Sequence, residues 1–242
     1  MAVSKETLPL IIEGALHSLV NEFLQLPFAT LTESDTVVRF HQLLDNKGFR
    51  ALQQKPQTQD LRMVALAHAE YNLFSGKGHY DTVILNPAFV EAHLFETVAN
   101  IHQRDRAKRN NHIMPLQAAL EFKFSKRGRR PTMQAARKDL DRLRESGSVA
   151  QWRYFVFLMR ECNSDCWDTE WRKLLQAASR VEKSVCSIFA TYQLDDKPVL
   201  DVQWFGPWQL EYERRPNGGA VADVGRATAS IMFLKNSNPR KQ

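Results

Sequence analysis

Apolar residues recur at three- and four-residue spacing through Leu8, Ile11, Ile12, Ala15, Leu16, Leu19, Val20, Phe23 and Leu24, which predicts an amphipathic helix ended near Pro27. Val37, Val38, Phe40, Leu43 and Leu44 predict a second helix, stopped at Asn46-Lys47-Gly48. A third is expected from Asp60 to about Phe74, before Ser75-Gly76-Lys77-Gly78 breaks it. The period then changes to that of a strand over residues 79–85. Asn86-Pro87 carries a helix-start signature leading into Val90, Leu94, Val98 and Ile101. Residues 118–125 read as a strand, and Ala136, Leu140 and Leu143 mark the next helix. Residues 152–159 form an apolar run of buried-strand length. A helix with Trp171, Leu174, Leu175, Ala178 and Val181 follows, then a strand over 185–192. Trp208, Leu210 and Tyr212 alternate with polar residues, as in a half-exposed edge hairpin. The succession predicts an α/β fold with a mixed central sheet covered by helices. Residues 1–59 form a helical N-terminal region, 60–192 the core and 193–242 a β-rich extension, all within one compact domain.

The 242 residues suffice for a full core, and 43% hydrophobic with 25% charged residues excludes a mostly disordered or collagen-like chain. No apolar run approaches the roughly 18 residues of a membrane span, and no secretory leader pattern opens the sequence, so a cytoplasmic protein is expected. Cys162, Cys166 and Cys186 are too few for a four-cysteine zinc site. The formal charge of +6 hints at a polyanionic partner.

Within Leu120-Glu121-Phe122-Lys123-Phe124 the strand period sets Glu121 and Lys123 on one face, with Cα atoms about 6.6 Å apart. An acid and an amine so placed can converge on one phosphate or one activated water. The same pattern also describes an exposed ion pair on a solvated strand. Asp81 lies at the mouth of the preceding apolar strand. With Glu121 and substrate phosphate oxygens it would satisfy Mg²⁺, which demands oxygen ligands and retains water. Lys123 would then orient water or neutralise developing charge. Glu70, flanked at helical spacing by Leu66, Ala67, Leu73 and Phe74, is a carboxylate in an apolar stripe. Such a group is costly unless it binds metal or pairs with a neighbour such as Arg62.

In this order the residues resemble the PD-(D/E)xK phosphodiesterase superfamily, the restriction-endonuclease-like nucleases. The resemblance spans residues 60–192. It sets Glu70 as the acid of the first core helix, Asp81 as the strand-borne Asp, and Glu121 with Lys123 as the (D/E)xK pair. Gln134 or Lys138 would supply the polar position of the helix after the motif. The resemblance implies metal-dependent phosphodiester hydrolysis, with Asp81, Glu121 and Glu70 holding Mg²⁺ or Mn²⁺. His79-Tyr80 replaces the Pro frequent before the Asp, and the segment between Asp81 and Glu121 is longer than the family's usual hairpin.

Arg104, Arg106, Lys108 and Arg109 precede the motif strand, and Lys126, Arg127, Arg129 and Arg130 follow it. Either cluster suits backbone phosphates, or a solvated loop or helix end. Trp204-Phe205-Gly206-Pro207-Trp208 suits base stacking or packing around its Gly-Pro turn. His93, His102 and His112 lack partners at ligand spacing, and there is no Gly-x-Ser-x-Gly elbow or phosphate-cradling Gly loop. The expected activity is a Mg²⁺-dependent nuclease acting on DNA, alone, as a homodimer or in a larger complex. The alternative is an inactive relative that binds nucleic acid or assembles a complex.

Overall fold

The computed structural model describes residues 7–30, 32–54, 61–72, 79–93, 116–126, 130–145, 150–160, 167–193 and 199–209. Its centre is a six-stranded mixed sheet of β3 (Ala67–Asn72), β4 (His79–Leu85), β5 (Leu116–Ser125), β6 (Ala150–Arg160), β7 (Cys186–Gln193) and β8 (Val199–Phe205), arranged in that order. The pairs β3/β4, β4/β5 and β7/β8 are antiparallel, whereas β5/β6 and β6/β7 are parallel. A separate antiparallel pair joins β1 (Arg50–Gln54) to β2 (Leu61–Ala65).

Two helices open the chain. On α1 (Leu8–Gln25) the buried stripe is Leu8, Ile12, Ala15, Leu16, Leu19, Val20 and Phe23. On α2 (Glu33–Asn46) it is Phe40, Leu43 and Leu44. Thr32 caps α2 reciprocally: its hydroxyl accepts from the Asp35 N–H at 3.2 Å, and its own N–H donates to Asp35 Oδ2 at 2.8 Å. This fixes where the helix begins, and therefore fixes Glu33 in its first turn.

Adjacent strand residues point to opposite faces. On β6, Tyr154 donates to Glu13 of α1, while Phe157 packs on Trp171. Trp171 closes a π-helical turn (Trp167–Trp171) that leads into α5 (Arg172–Val181). The sheet is thus covered on both sides, with α1 on one and α5 on the other. Residues 154–159 of β6 are all buried, as a central strand requires. On α4 (Arg130–Glu145), Met133, Ala136, Leu140 and Leu143 form the buried stripe, and α4 connects the parallel strands β5 and β6.

Over its described part, residues 61–72, the expected helix is instead β2 and β3; Asp60, Leu73 and Phe74 lie outside the described residues. Leu, Met and Ala gave that stretch a helical appearance, but Ala67, Ala69 and Tyr71 pair in register with Ile84, Thr82 and Tyr80 of β4. Sheet pairing outweighs a propensity difference of a few tenths of a kcal/mol per residue. A strand not expected from the sequence, Val199–Phe205, closes the described chain, and Trp208 belongs to no strand; Leu210, Tyr212 and the rest of the expected edge hairpin lie outside the described residues. The helix after Asn86 is described as α3 (Pro87–Ala92); its expected continuation to Ile101 lies outside the described residues.

Trp204 is buried, with Trp208 edge-on to it at 4.9 Å and His17 at 6.2 Å between ring centroids. Packing, the second reading of the aromatic run, therefore describes Trp204. Glu13, fully buried, anchors this corner: Oε1 accepts from the Tyr154 hydroxyl at 3.2 Å and Oε2 from the Gln209 N–H at 2.9 Å. Glu13→Ala should lower stability by about 2–3 kcal/mol in urea unfolding, because two polar groups lose a charged acceptor. Glu13→Gln should cost less, since its amide can still accept from Gln209 and donate to the Tyr154 oxygen.

Candidate active site

β4 and β5 pair directly despite the long segment between them: Thr82 stands opposite Leu120 and Val83 opposite Ala119. One step further along this pair stand Asp81 and Glu121. Asp81 Oδ2 accepts the Phe122 N–H at 2.7 Å, so the strand-borne acid is fastened to the backbone of the motif strand. The neighbouring parallel register sets Glu121 beside Phe155 and Lys123 beside Phe157, near the carboxyl end of β5. The carboxyl ends of parallel strands are where open α/β sheets place ligands.

Glu121 is fully buried, not exposed on a solvated strand face. Arg142 of α4 donates to its Oε1 from Nε at 2.8 Å and from Nη2, and Nη2 also meets Asp139 Oδ1 at 2.7 Å. Both guanidinium contacts fall on one oxygen of Glu121. Its other oxygen, Oε2, is buried without a hydrogen-bond partner. Lys123 Nζ lies between two further acids, 3.0 Å from Glu33 Oε1 and 3.2 Å from Asp139 Oδ2. The capped start of α2 delivers Glu33, and the i, i+3 spacing on α4 delivers Asp139 and Arg142 together.

Four carboxyl groups, Glu33, Asp81, Glu121 and Asp139, thus gather around two cations, Lys123 and Arg142. Burial, reinforced by Asp81, pushes the Glu121 carboxyl well above the ordinary range against the pull of Arg142. Burial also raises Glu33 and Asp139, with Lys123 opposing it in both. Burial alone would lower Lys123, but Asp139 and Glu33 outweigh it and hold the ammonium charged above its usual range.

Among the described residues no three His, Cys, Asp or Glu side chains gather closely enough to form a metal site by themselves. Mg²⁺ does not require such a cage, because it is commonly bound by one or two carboxylates with waters and phosphate oxygens. The unpartnered Oε2 of Glu121, next to Asp81 in a cluster short of positive charge, fits that donor set.

No family model, curated protein or solved structure matches the chain.

Glu70, expected on a helix, lies on β3 between Ala69, opposite Thr82, and Tyr71, opposite Tyr80. Its side chain is outside the described ones. Lys126, just beyond β5, is exposed, as are Gln134 and Lys138 on α4. Arg127, Arg129, the Arg130 side chain and the run from Arg104 to Arg109 lie outside the described residues. His93 stacks on Phe89 at 4.1 Å between ring centroids, a packing role; His102 and His112 lie outside the described residues. Glu33 and Arg142 were not singled out from the sequence, where Glu33 reads simply as an acid in a helix's first turn.

Proposed function

We propose that the chain is a metal-dependent nuclease of the PD-(D/E)xK type that hydrolyses phosphodiester bonds in DNA. The observation that carries this reading is the convergence of Asp81, Glu121 and Lys123 on adjacent strands, with an unpartnered buried oxygen on Glu121. With β1, β2 and α3 set aside as additions, the order α2, β3, β4, β5, α4, β6 also follows the family's sequence of acidic helix, Asp strand, (D/E)xK strand and succeeding helix, with Glu33 in the helix role that the resemblance gives to Glu70.

Asp81 and Glu121 would hold Mg²⁺ or Mn²⁺, which when bound supplies Lewis-acid stabilisation of the phosphoryl oxygens. Lys123, kept charged by Glu33 and Asp139, sets a fixed positive charge beside the scissile group, where charge builds during displacement. Lys126, Gln134 and Lys138 offer polar contacts to the nucleic-acid backbone, the sequence-independent part of binding. A nucleic-acid-binding or complex-assembling relative without cleavage is the second reading, favoured by one observation: Arg142 already neutralises the acid that would ligate metal.

Incubating the purified chain with supercoiled plasmid, linear duplex and RNA separates the two. Nicking or degradation of DNA that needs Mg²⁺ or Mn²⁺ and stops in excess chelator is the expected result. Retention of every substrate intact, with DNA bound in a salt-dependent manner, would favour the second reading.

A further inference from the structure

Arg142 stands where a bound cation would be expected to act. Its side chain is one quarter exposed, yet it directs two N–H groups onto a single oxygen of the fully buried Glu121. We infer that Arg142 is the displaceable resident cation of this site: it neutralises Glu121 in the metal-free chain, and a divalent ion gains that carboxylate only by breaking the Arg142–Glu121 pair. The inference rests on the metal-binding reading above.

The surroundings give the guanidinium somewhere to go. Asp139 holds Nη2 at 2.7 Å independently of Glu121. The Tyr80 ring lies 5.7 Å from the guanidinium carbon, and the Tyr80 hydroxyl donates to the Arg142 carbonyl at 3.3 Å. Release of Glu121 therefore surrenders one ion pair while Asp139 and the aromatic face retain the side chain. A partly exposed arginine can also turn toward water, an option closed to Glu121. Displacement lowers apparent metal affinity by the free energy of the pair it breaks, and by linkage the metal weakens that pair to the same degree.

The test is Mn²⁺ titration by calorimetry of the full chain, its Arg142→Gln, Arg142→Lys and Glu121→Gln variants, with thermal melts of each with and without Mn²⁺. Arg142→Gln should melt lower than the parent without metal, bind Mn²⁺ about tenfold more tightly or better, and gain a larger metal-induced rise in melting temperature. Arg142→Lys, which keeps the charge but loses the planar fork, should fall between them. It carries the comparison if Arg142→Gln does not fold. Glu121→Gln should lose the binding. Equal or weaker Mn²⁺ binding by the Arg142 variants than by a parent that binds would overturn the inference and leave the metal-binding reading standing. No Mn²⁺ binding by any of the chains at millimolar concentration would overturn the metal-binding reading, and the inference with it.

Discussion

Asp81→Asn should reduce divalent-ion-dependent cleavage by about a thousandfold or more, while the melting temperature moves by a few degrees at most. The two halves of this expectation have separate causes. Asn is isosteric, and its side-chain oxygen can still accept the Phe122 N–H that Asp81 Oδ2 now accepts at 2.7 Å, so the β4–β5 link survives. What disappears is the negative charge beside Glu121, and with it the attraction for a divalent ion. Initial rates at saturating Mg²⁺ and DNA, with circular-dichroism melts of the same preparations, measure both halves. Glu121→Gln should also abolish cleavage, while Arg142 keeps Asp139 as its ionic partner. Undiminished cleavage in Asp81→Asn would remove Asp81 from the metal site and with it the proposed mechanism.

Much of the scaffold is legible in the sequence because burial leaves a simple imprint there. The three-and-four spacing of α1 and the continuous apolar run of β6 reflect how many faces of the element are covered, while the period of two in β5 marks a strand although its polar positions Gln117 and Glu121 are buried as well. Asp81 and the Glu121-x-Lys123 pair are found on strands for the same reason. Residues 61–72 escape because Leu, Met, Ala and Glu carry helix-like spacing, and only the long-range pairing of β3 with β4 decides between the two periods. β8 escapes for a related reason. Val199–Phe205 carries only a loose apolar–polar alternation, and its long-range pairing along β7 is what makes it a strand.

The rest of the site belongs to tertiary structure. Glu33 looks like an ordinary first-turn acid, favoured there by the helix dipole, and nothing local signals that the Thr32–Asp35 cap aims it at Lys123 across the sheet's end. Asp139 and Arg142 form an i, i+3 pair of the kind found on many solvated helices. Their role follows from the turn of α4, which places Asp139 in the same buried stripe as Ala136, Leu140 and Leu143. Lys123, read from the strand alone, pairs with Glu121. In the folded chain it pairs with Glu33 and Asp139 instead, and Arg142 takes Glu121. The strand supplies the chemical groups; the two helices determine which charge answers which.

That division of partners gives Lys123 a structural part beside its proposed catalytic one, with a distinctive consequence for its removal. Lys123→Ala should abolish cleavage and also destabilise the fold by about 2–4 kcal/mol near pH 8, a little below the roughly 3–5 kcal/mol of a fully buried pair, since Glu33 is partly exposed. The loss should shrink at lower pH. Burial already raises the Glu33 and Asp139 carboxyls, and Lys123 is the foremost influence holding them down. Without it their folded-state values rise further above the unfolded ones, so the protonated forms favour the folded chain. Stability from such raised carboxyls is present below their unfolded values and is lost as pH rises through the folded values. Urea unfolding of parent and variant at pH 5 and pH 8 should therefore show a smaller gap at pH 5. Adding Asp139→Asn to Lys123→Ala should recover part of the stability at pH 8, by removing one of two carboxylates left facing each other, but none of the cleavage. A gap independent of pH would assign the destabilisation to lost packing of the lysine stem rather than to the exposed charge conflict. Cleavage restored together with stability would show that Lys123 contributes only to the scaffold.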